Sequence, residues 1–192
     1  IYHYSVYHLI PKQENIHHLS PLYRLRSNVS KHRALIVTHT QEVEKIEELV
    51  DALPMLEFHI AAVTAMGGRL MDLEVKENVC LYPGISQQQF KALLDSCTIY
   101  LDINHYVEIL DSVDEALENG LLLFGFQETC HRESYIHPEH LFKSAEVQQL
   151  IEKLRLLMNS PEEYTQEMQK QLEWVQSTNK KDYIRVFQGE EG

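Results

Sequence analysis

A chain of 192 residues, 44% apolar and 24% charged, is long enough to bury one sizeable core without disulfide or metal staples. Its 17 basic and 29 acidic residues leave a net charge of −12, which argues against a nucleic-acid binder, whose contact face is basic. No run of about 18 apolar residues is present to span a membrane, and no signal-peptide pattern is found.

The three cysteines lack metal-site spacing and read as thiols of a reducing compartment, with Cys80 and Cys97 as small buried hydrophobes. The chain opens at Ile1-Tyr2-His3-Tyr4 without a start methionine and is read as a piece of a longer protein. Residues 1–32 form a lead-in segment with Pro11 and Pro21, and a short strand is expected near Tyr4–Tyr7. The basic group Arg24, Arg26, Lys31, His32 and Arg33 reads as a solvated linker. Its alternative is local contact with a phosphate or an anionic membrane surface.

A Rossmann-like domain is expected over residues 33–176, followed by a polar tail over 177–192. Ala34-Leu35-Ile36-Val37 is a short, continuously apolar run, the pattern of a strand buried on both faces. Val43, Ile46, Leu49 and Val50 follow at helical spacing. Leu56–Val63 is the second strand and Val79-Cys80-Leu81-Tyr82 the third, closed by Pro83-Gly84. Ser86 with Gln89 forms a capping box before the stripe Phe90, Leu93, Leu94 and Cys97. Thr98–Leu101 is strand four. A helix carrying Val107, Leu110, Val113 and Leu117 comes next, stopped by Gly120. Leu121–Phe126 is strand five, and a short sixth strand is placed at Tyr135-Ile136. A helix over about 144–159 turns Val147, Leu150, Ile151, Leu154 and Met158 inward. Ser160-Pro161-Glu162-Glu163 starts the last helix, with Met168, Leu172 and Trp174. Strands alternating with helices predict an α/β fold: a Rossmann-like, doubly wound, mostly parallel six-stranded sheet. Strand order is not readable directly; six strands with the first short and central suggest 3-2-1-4-5-6.

In such a sheet, ligands sit beyond the carboxyl ends of the strands. The dinucleotide fingerprint is absent after strand one, so NAD is a poor candidate. No P-loop or nucleophile elbow supports an ATPase or hydrolase. Thr40 reads as an N-cap whose helix start can also meet a phosphate, and Gly84 as a tight turn that also permits close approach of a sugar or base. The richest loop is Asp102-Ile103-Asn104-His105-Tyr106-Val107-Glu108. Asn104 and His105 donate and accept as sugar hydroxyls require; Glu108 is either a helix-capping carboxylate or a ribose acceptor. Thr129 and His131, after strand five, face the same rim and are suited to phosphate or sugar. Cys130, His131, His137 and His140 do not match zinc spacing, and no metal is expected there.

The runs Ala34–Thr38, Phe58–Ala62, Val79–Ser86, Tyr100–His105 and Glu108–Asp111 resemble the nucleotide-sugar half of GT-B glycosyltransferases. Within these they are most similar to the accessory subunits of two-protein GlcNAc transferases of Gram-positive cocci and lactobacilli. The resemblance covers about residues 33–160. It implies a cytoplasmic protein, with peripheral contact at the membrane as an option. It implies a catalytic glycosyltransferase partner and a serine-rich repeat adhesin as acceptor before accessory-Sec export. It also implies UDP-GlcNAc as the donor, without a metal cofactor. Catalytic retaining members carry a spaced pair of glutamates after strand four. Aligning Glu115-Ala116 on the second glutamate and the alanine after it puts Val107 on the first, with Glu108 one residue late. The family's basic phosphate-binding pair is missing from the strand-one loop. The resemblance therefore implies a non-catalytic subunit with no catalytic residue of its own. Thr40, Gly84, Asn104, His105, Glu108, Thr129 and His131 remain the ligand-binding candidates. Two alternatives stay open: an active retaining transferase using Glu108 and Glu115, and a sugar-blind interaction scaffold.

Overall fold

The computed structural model describes residues 32–39 and 41–188, with side chains described up to Thr178. The expected lead-in strand at Tyr4–Tyr7, Arg24, Arg26 and Lys31 of the basic group, and Thr40 lie outside the described residues. Among the described residues, six strands form one parallel sheet: β1 (Arg33–Thr38), β2 (Glu57–Ala62), β3 (Val79–Pro83), β4 (Ile99–Asp102), β5 (Leu122–Phe126) and β6 (Leu141–Phe142). Their spatial order is β3-β2-β1-β4-β5-β6, the order suggested for a doubly wound sheet with a short central first strand. The connecting helices are α1 (Ile46–Ala52), α2 (Gly68–Met71), α3 (Gln87–Ser96), α4 (Ser112–Glu118), α5 (Val147–Asn159) and α6 (Pro161–Gln188). None of the described helices is long and apolar enough to cross a membrane.

Continuous apolar strands are required because both faces of the sheet are covered. Ala34 and Ile36 point into one core with Phe58, Ile60, Leu101, Phe124 and the inward faces of α1, α5 and α6. Leu35 and Val37 point into the other with Tyr100, Leu123, Phe90, Leu94 and Val113. Edge strand β3 is only half-buried, so Cys80 is less enclosed than its apolar neighbours suggest.

Local signals hold where they are complete. Ser86 and Gln89 close the predicted capping box on α3. Gly120, at φ 70°, ends α4 in a Schellman arrangement: Leu121 N donates to the Ala116 carbonyl and Gly120 N to that of Leu117.

Four elements differ from the sequence reading. The helix after β1 starts at Ile46 behind Lys45, well past Thr40, and Val43 instead bridges to Asn104. Helix α4 starts only at Ser112, so Val107 and Leu110 lie in the preceding loop. The sixth strand is Leu141–Phe142 rather than Tyr135-Ile136. Ile136 is buried, but against Gly125, where a β-carbon would lie 3.3 Å from its Cδ1. The polar run from Ser177 continues α6 as helix to Gln188.

Short β6 pairs only with Gly125 and Phe126, leaving the start of β5 without a strand on that side. Gln171 of α6 fills the gap. Its Oε1 accepts from Leu123 N at 2.7 Å, and its Nε2 donates to Leu121 O at 2.9 Å. Gln171→Leu leaves both backbone groups buried and unpaired. It is expected to cost about 2 kcal/mol, read as a lower urea midpoint with an unchanged slope.

Candidate functional site

The loop leaving β4 is held on both flanks by the loops leaving β1 and β5. On the β1 side, Glu44 N donates to Ile103 O at 2.8 Å and His105 N to Glu42 O at 3.1 Å. The Thr38 hydroxyl donates to Asn104 Oδ1 at 3.0 Å, and His105 Nε2 meets Glu44 Oε2 at 2.6 Å. Asn104 is buried, and its amide nitrogen faces the carbonyls of Tyr106 and Val107.

On the β5 side, Asp102 is the centre. It is 1% exposed; Oδ2 accepts from His131 N at 2.7 Å and Oδ1 from the His131 ring at 2.5 Å. The other ring nitrogen faces the carbonyl of Tyr106. Two acceptors on one imidazole favour its doubly protonated form. The Asp102 hydrogen bond accordingly raises His131 above its ordinary value, outweighing partial burial. Thr129, also buried, donates to Asp102 O at 3.0 Å. Cys130 beside it is pushed up to about 12, by burial first and the Asp102 charge second, so it is a neutral thiol.

A group whose folded value is raised stabilises fully below its unfolded value and loses that contribution as pH rises through the folded one. Unfolding free energy is therefore expected to fall as pH climbs from about 6.5 through the higher titration of His131. Denaturant titrations at a series of pH values, with His131→Gln as the flat reference, measure this.

Glu108 acts as the capping carboxylate. Its Oε1 accepts from Val113 N in the first turn of α4 at 2.9 Å, and its Oε2 holds Arg132 Nε at 2.6 Å. Arg132 also meets Asp114 at 2.8 Å and Asp111 at 3.6 Å. Leu110 and Asp111 adopt left-handed backbone (φ 57° and 47°), an unfavourable geometry for side-chain-bearing residues that this network holds in place. The tip of the loop turns outward: Val107 is 75% exposed, with Tyr106 and Leu110 beside it.

The structure thus brings Asn104, His105, Glu108, Thr129 and His131 to one rim, as the sequence predicts. It engages each of them with protein groups. Gly84 lies after β3 with φ 63° and forms a tight turn, its N–H on Thr64 O at 2.9 Å. Lys45 and Arg69, the cations near the β1 and β2 loops, are paired with Glu48 and Glu47. Asp102, Glu44 and Arg132 were missed as organising residues. An aspartate ending a buried strand, at the head of a histidine-bearing polar loop, was the available signal.

A parallel α/β sheet in this order, with a polar rim at its carboxyl ends, defines the class: a Rossmann-like, doubly wound domain. The catalytic domain of cholesterol-α-glucosyltransferase from Helicobacter pylori shares the fold, at 12% identity and a TM-score of 0.56 over 77% of this chain and 97% of that one.

The chain belongs to the GftB/GlyA-F C-terminal domain family, whose profile matches residues 34–171. It is 40% identical over 160 residues to the UDP-N-acetylglucosamine–peptide N-acetylglucosaminyltransferase stabilizing protein GtfB of Streptococcus pneumoniae, covering 83% of this chain and 35% of that protein. The protein of the same name from Limosilactobacillus reuteri is 37% identical over 162 residues, 84% of this chain and 37% of that one. A chain in the crystal structure of a GtfA/B complex bound to UDP and GlcNAc superposes with a TM-score of 0.71 at 37% identity. That match covers 77% of this chain and 33% of the solved one. The chain therefore spans about a third of the length of these relatives.

Proposed function

We propose that this chain carries the C-terminal domain of an accessory subunit that stabilises the catalytic partner of a GlcNAc transferase and helps hold its polypeptide acceptor. The carrying observation is the state of the rim. Where the family resemblance puts the donor-hydroxyl carboxylate of a transferring member, this chain carries Val107, which is 75% exposed. The neighbouring Glu108 is engaged by the start of α4 and by Arg132. A hydrogen-bonded carboxylate is a poor donor anchor unless its partners are displaced, and an apolar side chain is none at all. The relatives named as stabilizing proteins support the same reading. The acceptor is a serine-rich adhesin, glycosylated in the cytoplasm before export, and UDP-GlcNAc is the donor used by the partner.

Co-expression tests this. The whole protein that contains this chain, produced with a catalytic GlcNAc transferase subunit, is expected to co-purify with it and raise its soluble yield. It should show no hydrolysis of UDP-GlcNAc alone. A partner whose yield and activity are the same without it overturns the reading. Donor hydrolysis by the unpartnered protein that is lost on Glu108→Ala supports the active-enzyme alternative instead. Calorimetry with UDP-GlcNAc at millimolar concentration separates a residual donor site from a sugar-blind scaffold.

A further inference from the structure

At the opposite end of the sheet from the rim, three ligand-type side chains converge across two strands. Glu57 and His59 share one face of β2, and the parallel register sets Cys80 of edge strand β3 against His59. One carboxylate oxygen of Glu57, one ring nitrogen of His59 and Cys80 Sγ all lie within 4.8 Å of one another. His59 Nε2 is 3.8 Å from Glu57 Oε2, and Cys80 Sγ is 4.0 Å from Glu57 Oε1.

The histidine points to a ligand. His59 is 6% exposed, and its Nε2 is buried with no hydrogen-bond partner. A buried polar atom without a partner is costly, so it calls for an explanation. The other nitrogen, Nδ1, is held by the Tyr82 hydroxyl at 2.8 Å, and the two rings stack at 5.7 Å. In the tautomer that ligation requires, Nδ1–H donates to Tyr82 and Nε2 carries a bare lone pair. This is the outer-shell arrangement that orients metal-bound histidines.

We propose that Glu57, His59 and Cys80 form a zinc-type transition-metal site that fastens edge strand β3 to β2. The donor set of sulfur, imidazole nitrogen and carboxylate oxygen suits zinc; magnesium and calcium take oxygen ligands. Bond lengths of about 2.0–2.3 Å place neighbouring tetrahedral ligands about 3.3–3.6 Å apart, so closure needs these side chains, now within 4.8 Å of one another, to draw together by up to about 1 Å. Arg33 Nε holds Glu57 Oε2 at 2.9 Å, orienting the carboxylate so that Oε1 is the oxygen nearer Cys80. Glu57 is 24% exposed, which leaves the fourth coordination position to water. Binding releases the Cys80 thiol proton to solvent, and thiolate plus carboxylate then balance the two positive charges of the ion. Sequence spacing hides the site, because its ligands come from adjacent strands rather than from one motif.

Cobalt(II) titration of the full 192-residue chain under reducing conditions tests the proposal. One equivalent is expected to produce thiolate-to-cobalt charge-transfer absorption together with tetrahedral visible bands, both removed by zinc. Cys80→Ser and His59→Gln lose the signal, Cys130→Ser keeps it, and Tyr82→Phe weakens affinity about 10- to 100-fold. Absence of the thiolate band, or its persistence in Cys80→Ser, overturns the site. A second measurement needs no variant: zinc is expected to slow alkylation of Cys80 while leaving that of Cys130 unchanged, read by mass spectrometry. Equal rates at Cys80 with and without zinc overturn the proposal as well.

Discussion

Glu167→Ala is expected to destabilise the protein by about 3 kcal/mol, toward the low end of what losing one member of a buried ion pair costs. Glu167 sits on the inner face of α6 with its side chain 2% exposed. It accepts from His140 Nε2 at 2.7 Å, Lys153 at 2.8 Å and Lys170 at 3.0 Å. Burial alone would raise this carboxyl; hydrogen bonds from Lys153, His140 and Lys170 outweigh it and hold it below the usual carboxylate range. His140 is pushed the other way from a charged imidazole. Burial lowers it, and its Nδ1 has no partner for a second proton.

The residue thus ties α6 to α5 and to the turn before β6, with the His140 ring packed 4.5 Å from Phe124. Both lysines reach toward water once the carboxylate is gone, so most of the loss comes from the orphaned imidazole and the cavity. For a domain of this size the melting temperature should fall by about 6–12 °C. Glu167→Gln keeps an acceptor for His140 and should lose about half as much. Both depressed groups make acid destabilising. Stability declines as pH drops below about 6.5, where the unfolded chain protonates His140 before the folded one does, and again below about 4.5 through Glu167. A melting temperature insensitive to Glu167→Ala would show that α6 docks through its apolar contacts alone.

His131→Leu is expected to cost about 3 kcal/mol as well, and to act on the rim directly. Removing the ring leaves the Asp102 carboxylate buried with His131 N as its remaining donor from that residue, so the charge is uncompensated. The same ring anchors Tyr106 O, so its loss should also free the strained turn at Leu110 and Asp111. Amide hydrogen exchange is expected to accelerate over residues 103–111 and to stay unchanged in β1 and β2. His131→Gln, which can still donate once, should fall between wild type and His131→Leu. Unchanged exchange in the loop would mean that the β1 side alone holds it.

These two networks show which parts of the molecule the sequence discloses. The parallel, doubly covered sheet followed from uninterrupted apolar runs such as Ala34–Val37 and Leu121–Phe126, because residues buried on both faces leave no polar alternation; the strand order came from the common doubly wound pattern. The rim was legible as a concentration of polar groups after β4. What those groups do was not, because Glu108 as a cap and Glu108 as a sugar acceptor require the same side chain at the same place. Only the positions of Val113 N and Arg132 select the cap. Met168 was expected on α6 and is buried, but the rest of its inward face escaped notice for a related reason. Its buried positions include Glu167 and Gln171, which hydropathy assigns to solvent, while Leu172 and Trp174 are only half-buried. The sixth strand was misplaced because two apolar residues carry no register. Tyr135-Ile136 and Leu141–Phe142 are equivalent until the chain chooses which pair meets Gly125 and Phe126.

By itself, then, the sequence determined the parallel α/β sheet and the rim where a ligand-type loop stands. These rest on local patterns of apolar runs, caps and turns, which need only neighbouring residues. The tertiary structure decided the partners: Asp102 with His131, Glu108 with Arg132, Glu167 with His140, and Glu57 with His59 and Cys80. Those pairings join residues remote in the chain. Burial gives them their energy by removing the water that would otherwise satisfy each group alone.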